Sequence, residues 1–307
     1  MAVESSPKSI LDYEERRFPL NLRPELPDIR ELWRQSNQLA WDPDRSIPWD
    51  TFDPSPYTPA QLDAARLYWS RRAWTEYSGT AESPAILLRL CLEPNREIDA
   101  RLFWAVQTLE ETRHCIASYN FAEKLGGYIA EPPIPQPRNT QHRGIRDRVL
   151  NPRISFEAFV VAHICIGETV AARLFEERFR QARDPIAREL VRLILRDETR
   201  HIKFGWLYMA HRVKHFTPEQ VAEIERVACD VVENSELKGY HCIWLSTDPA
   251  TRPFAEANEI AAGAGLGACT AEQEAAVLRK CIADIRRDMA AWGVTIPVFQ
   301  HEVLGTV

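Results

Sequence analysis

The same five-residue string, an acid followed by Glu-Thr-Arg-His, occurs twice in this chain, at Glu110-Glu111-Thr112-Arg113-His114 and at Asp197-Glu198-Thr199-Arg200-His201. In a helix, residues three apart lie on one face, so each string aims a carboxylate and an imidazole at one point. A helix grips a metal ion in this way. One Glu-x-x-His alone reads most simply as a solvated i, i+3 pair, but two copies of the longer string outweigh that reading.

The helices that carry the strings can be bounded from turn and cap chemistry. Thr58-Pro59-Ala60-Gln61 joins an N-cap, a proline at the first helical position and a closing Gln, and predicts a helix to about Leu92. Pro94 breaks it, and a second helix is expected from roughly Asn95 to Leu125, stopped by Gly126-Gly127. Residues 128 to 152 form a proline-rich crossover without periodicity. A third helix, roughly Ser155 to Ala182, ends at Asp184-Pro185, which caps a fourth running to about His215. Thr217-Pro218-Glu219-Gln220 and Thr270-Ala271-Glu272-Gln273 open two more, the last ending near Gly293; residues 248 to 267 are expected to be irregular or in short helices. No strand pattern is evident, so the class is all-α: two long helical hairpins forming a four-helix bundle over 58–215, with additional helices over 216–307 packed on it in the same domain. Residues 1–57 hold eight prolines and five aromatics from Trp33 to Tyr57. They cannot form one long helix and are expected to be an extended arm packed over the bundle.

Hairpin arithmetic brings the two strings together. Glu76 lies about as far before Pro94 as Glu111 lies after it, and the midpoint of Glu168 and Glu198 is residue 183, at the Asp184-Pro185 break. Antiparallel helices rising 1.5 Å per residue then place each pair at one height. The rival Glu82 is six residues nearer the turn, displaced by roughly 9 Å along the axis. The candidate ligands are therefore Glu76, Glu111, His114, Glu168, Glu198 and His201, with Glu82 the alternative for the first helix. Oxygen and imidazole nitrogen suit iron or manganese. Two divalent cations would neutralise four buried carboxylates that are otherwise costly.

Histidine ligands usually donate their other N–H to a carboxylate. A crossed arrangement is expected, Asp197 supporting His114 and Glu110 supporting His201, with Arg113 and Arg200 neutralising these outer acids. A solvated face is the competing reading of both arginines. His163, five before Glu168, falls off the ligand face of an α-helix. Tyr119 and Tyr208 are packing residues by default. Thr108, Cys115, Ser118, Gly167 and Gly205 either leave space beside the metals or let helices approach.

With these residues in place, the chain resembles the ferritin-like dinuclear carboxylate superfamily over about residues 58 to 215, and the acid-Glu-x-Arg-His form resembles its oxygen-activating branches. These include bacterial multicomponent monooxygenases, acyl-carrier-protein desaturases, ribonucleotide-reductase small subunits and arylamine N-oxygenases. The resemblance implies two iron ions, with Mn–Fe or Mn–Mn sharing the same ligands, and an O2-activating oxygenase that hydroxylates or N-oxygenates a small organic substrate. It also implies an external electron donor, a ferredoxin or reductase, since nothing in the chain resembles a flavin or nicotinamide site. Position 118 is serine where a radical tyrosine would be expected, Ile194 stands where N-oxygenases carry an extra histidine, and Ala172 where monooxygenases carry a threonine. An acyl-chain desaturase and a non-catalytic iron-storage protein are the alternatives.

Bulk properties set the remaining expectations. A net charge of -6 provides no basic field for nucleic acid or an anionic membrane. The N-terminus has no apolar core of a signal peptide, and no run is expected to approach transmembrane length. Seven cysteines without a C-x-x-C pair point to a reducing, cytoplasmic setting. A homodimer is expected.

Overall fold

The computed structural model describes residues 9–13, 21–132 and 148–307. Most of the proline-rich crossover and of the first twenty residues lie outside that description. Helix α1, Pro27–Gln38, lies within the arm. The first long hairpin is α2, Pro59–Leu92, and α3, Ile98–Lys124. The second is α4, Phe156–Gln181, and α5, Pro185–Arg212. Helices α6, Pro218–Asn234, α7, Arg252–Ala264, and α8, Ala271–Ala290, follow. A two-residue antiparallel pair, β1 (Gln300–His301) with β2 (Gly305–Thr306), is the one strand structure among the described residues.

The caps explain most boundaries. Thr58, Thr217 and Thr270 each accept from the backbone N–H three residues on, with the Gln there reaching back to the cap residue. Asp184 accepts from the N–H groups of Ile186 and Ala187 and so starts α5. Helix α3 begins three residues later than its sequence suggests, because Asn95 adopts φ 59° in the turn, a left-handed conformation that asparagine tolerates. It ends where Gly126 and Gly127 take φ 123° and 111°, which residues with a Cβ rarely adopt. Helix α1 in the arm was not expected, and the 13 residues of α7 fall in a stretch read as irregular or in short helices.

Helix α4 is also the one helix among those described that is long and apolar enough to cross a membrane by length and composition, contrary to expectation. Its most apolar window is 78% buried inside the molecule. That burial has an origin in packing: α4 is enclosed by α5, α6 and α8, and a helix apolar on all sides belongs in a core.

The interior is two apolar clusters with a polar layer between them. One holds Ile86, Leu90, Phe103, Trp104, Phe204 and Tyr208, and is completed by Ile224 and Val231 of α6, Leu278 and Ile282 of α8, and Val307. The other holds Tyr68, Trp69, Phe121, Phe175 and Leu190, together with Trp41, Ile47 and Trp49 of the arm. On α2, α3 and α5 the residues between the clusters include Glu76, Glu111, His114, Glu198 and His201. All seven cysteines are free, and Cys165, Cys242, Cys269 and Cys281 are buried, as small hydrophobes are.

Candidate metal centre

In the polar layer, Glu76, Glu111 and His114 bring one donor atom each within 4.8 Å of one another, and Glu168, Glu198 and His201 do the same. The two groups share their middle. Glu111 places Oε2 3.9 Å from His114 Nδ1 and Oε1 3.4 Å from His201 Nδ1. Glu198 places Oε1 3.5 Å from His114 Nδ1 and Oε2 3.4 Å from His201 Nδ1. Each of these carboxylates therefore faces both histidines. Glu82, also buried and lining the same cavity, lies outside both groups.

The outer faces of the histidines are taken. His201 Nε2 lies 2.9 Å from Glu110 Oε2, and His114 Nε2 lies 3.3 Å from Asp197 Oδ2. Burial opposes the charge on Glu110, yet the His201 contact holds its carboxyl below the ordinary range; Asp197, likewise buried, is held low by His114, Arg200 and Trp41. Both are thus acceptors, each Nε2 is the donor, and each Nδ1 turns inward. Arg200 ties the outer acids together, its Nη2 donating to Glu110 Oε1 at 2.6 Å and to Asp197 Oδ1 at 2.5 Å. Arg113 does not join them. Its Nη1 is buried without a partner, and the two oxygens of Glu110 are already occupied by Arg200 and His201.

The arm completes this outer layer. Trp41 Nε1 donates to Asp197 Oδ2 at 2.7 Å and its ring stacks 6.5 Å from that of His114. Ser36 Oγ accepts from Arg200 Nε at 2.9 Å. Neither contact has a signal in local spacing, because each joins residues more than 150 positions apart. Trp41 stood out only as an aromatic in a charged, proline-rich stretch.

The inner groups carry the charge that a cation would answer. Burial, then the charges of Glu198 and Glu111, push Glu168 well above the usual carboxylate range, while Glu198, despite its own burial, is held down to about 2 by the His201 and His114 imidazoles beside it. Burial also raises Glu111. His114 Nδ1, His201 Nδ1 and Glu198 Oε2 are buried without a hydrogen-bond partner. Buried polar atoms normally have one, so three inward-facing orphans in a nest of carboxylates fit a pair of metal ions held by oxygen and imidazole.

Helix α4 departs from α geometry where it meets the site. Val161–Glu168 is π-helical, and the N–H of Thr169 reaches back to the carbonyl of Ile164. Hydrogen bonds from i to i+5 stack residues five apart, so His163 Nε2 comes to 3.5 Å from Glu168 Oε1. The α-helical reading that put His163 off the ligand face is corrected by this change of pitch. Among the small residues, Gly167 lines the cavity beside the site. Gly205 instead serves close packing, since a Cβ there would lie 2.5 Å from Ile164 Cγ2. Gly79, which its spacing did not single out, backs Glu111: a Cβ would meet Glu111 Oε2 at 3.0 Å. Tyr119 is exposed against Tyr128, and Tyr208 is buried among Arg96 and Glu97, away from either donor group.

No family model matches the sequence, and no curated protein matches it. Solved structures do match the fold. An R2-like ligand-binding oxidase with an aerobically reconstituted metal cofactor, after photoconversion, superposes with a TM-score of 0.65 at 14% identity, covering 85% of this chain and 92% of that one. The fold is that of the R2-like ligand-binding oxidases. A second such structure, with an aerobically reconstituted Mn/Fe cofactor after a long soak, gives 0.65 at 13% identity over the same shares of the two chains. A mutant of such an oxidase, also with an aerobically reconstituted Mn/Fe cofactor, gives 0.66 at 13%, again covering 85% and 92%. The all-α bundle expected from the hairpins, and the ferritin-like fold that the resemblance implied, are thereby established.

Proposed function

We propose that this chain is an O2-dependent oxidoreductase built on a dinuclear metal centre, iron with iron or with manganese, that hydroxylates or N-oxygenates a small organic molecule. The observation that carries the reading is the pair of three-donor groups in which Glu111 and Glu198 each turn one oxygen to each histidine. Glu76 and Glu168 would hold one metal each from the sides, and His114 and His201 would bind through Nδ1. The metal pair, when bound, supplies redox chemistry toward O2. The chain supplies orientation: Glu110 and Asp197 fix the tautomers and planes of the two imidazoles, and Arg200 fixes both acids. The electrons would come from a separate ferredoxin or reductase.

The cavity that reaches Glu76, Glu111, Glu168 and Glu198 also supports a small polar substrate. Arg71, Arg72, Arg178, His163, Tyr240 and His241 are among its walls. An acyl-chain desaturase needs a deep apolar channel instead.

The test is metal analysis followed by anaerobic iron loading and exposure to O2. About two metal ions per chain, a transient visible absorption on mixing with O2, and loss of uptake in Glu198→Ala are the expected results. No uptake, or uptake indifferent to Glu198→Ala, would sink the proposal. Isotopically labelled O2 then separates oxygenation, which labels the product, from oxidase chemistry, which labels only water.

A further inference from the structure

Arg71 is 7% exposed and lines the cavity beside the donor groups, yet its guanidinium makes no hydrogen bond or close ion pair with any described residue. Its Nε is sealed from solvent without a partner, and its nearest ring, Phe254, is 5.8 Å from the guanidinium carbon. The other two guanidinium groups in the same wall are answered. Arg72 pairs with Glu76, and Arg178 pairs with Glu274 at 3.3 Å. Glu274 gives its second oxygen to Trp244 Nε1 at 3.1 Å, and it attracts Arg71 without a hydrogen bond or close ion pair to it. Arg72 and Arg178 thus each have a carboxylate at ion-pair distance, whereas Arg71 has none among the described residues.

A buried charge is stable only when something pairs with it. Here Glu274 attracts Arg71 only from beyond hydrogen-bond reach, and the guanidinium borders open volume rather than a packed core. We propose that Arg71 binds the carboxylate of a short organic-acid substrate, whose reacting end lies against Glu111 and Glu198. The assignment of the reacting end rests on the dinuclear reading above; the anion site does not. A guanidinium fork matches a carboxylate in two parallel hydrogen bonds, and the free Nε of Arg178 adds a second donor in the same wall. Arg71 and Glu76 are five residues apart on α2, a rise of roughly 7.5 Å. The anion site and the donor groups are thus about one and a half helical turns apart along α2, a span that suits a short acid rather than the end of a long chain. A cavity of about 70 Å³ agrees with a compact molecule.

Benzoate and its neutral analogue benzamide, titrated calorimetrically into the metal-free and the metal-loaded full-length chain, test this. Benzoate should bind about tenfold tighter or more in both forms, as a charge-assisted pair requires, and Arg71→Gln should erase the difference while leaving metal content unchanged. Equal binding of the two probes to the wild type overturns the site, and needs no variant to fold. So does a benzoate preference confined to the metal-loaded form and indifferent to Arg71→Gln, which would mean ligation by metal alone. Inorganic phosphate displacing benzoate with higher affinity overturns the choice of carboxylate. A chain that prefers benzoate but takes up no metal keeps the anion site and removes the dinuclear reading; one that takes up metal but does not discriminate does the reverse.

Discussion

Asp197 shows how much a single residue depends on others far away. It takes hydrogen bonds from Trp41 of the arm and Arg200 of its own helix, and meets His114 of another helix. Asp197→Asn keeps the shape and removes the charge that orients His114. Metal affinity should fall 10- to 100-fold, as for other carboxylates behind a ligand histidine, with the far-ultraviolet circular dichroism unchanged. Unaltered affinity in a metal titration would remove Asp197 from the site. Gly79 gives a second test at this scale. Gly79→Ala would push a methyl against Glu111 Oε2, Cβ and Cγ, at 3.0 to 3.1 Å. The expected result is weaker metal binding at almost constant Tm, because the carboxylate gives way while the backbone stays helical. The partnership of Glu110 with His201 could be anticipated from two copies of one string. The idle Arg113 could not, because the string is symmetric and only the packed structure shows which arginine reaches the outer acids.

At the level of elements, α4 is the one that departs from its expected form. Its π segment packs on α5, where Gly205 admits Ile164 and Cys165. Gly205→Ala would overpack this contact and cost about 1–3 kcal/mol, measured by denaturant unfolding. At the start of α4, Glu157 joins Arg96 of the α2–α3 turn to Arg212 at the end of α5, at 2.6 and 2.9 Å. Burial is the largest single influence and raises its pKa, but the charge and hydrogen bond of Arg96 together with the charge of Arg212 outweigh it, and the net shift is downward. A carboxyl with a depressed folded pKa stabilises the fold above its unfolded pKa, near 4.5, and loses that contribution as pH falls through the lower, folded value. Glu157→Gln should therefore destabilise the chain at neutral pH, by about 3–5 kcal/mol for a broken buried pair. The penalty should shrink as the wild type is acidified below pH 4.5. A penalty constant from pH 7 to pH 3 would rule out this role.

For the molecule as a whole, the polar layer between two apolar clusters is a liability that the proposed cations would relieve. Metal at a hundredfold excess over Kd should add about 2.7 kcal/mol, roughly 5 °C in Tm for a chain of this size, and a chelator should remove it. Glu168→Leu should do the opposite of a typical core mutation. It exchanges a carboxyl held far above its usual range for an apolar group of similar volume, so the metal-free Tm should rise and the gain on adding metal should shrink. A metal-free Tm that falls would show that Glu168 is satisfied without a cation.

What the sequence determined by itself was governed by neighbours a few residues apart. Cap boxes at Thr58, Thr217 and Thr270, the Asp184-Pro185 start and the Gly126-Gly127 stop set the helices, because the groups they satisfy are four residues away at most. A constant rise per residue then matched Glu76 with Glu111 and Glu168 with Glu198. The tertiary structure alone decided what crosses those distances. It laid Trp41 and Ser36 of the arm on Asp197 and Arg200, and it packed α4 into a pitch that turns His163 toward Glu168. It also left the Arg71 guanidinium buried at the edge of a cavity with no hydrogen bond or close ion pair to a described residue. Such outcomes follow from which surfaces exclude water together, and no local spacing encodes that.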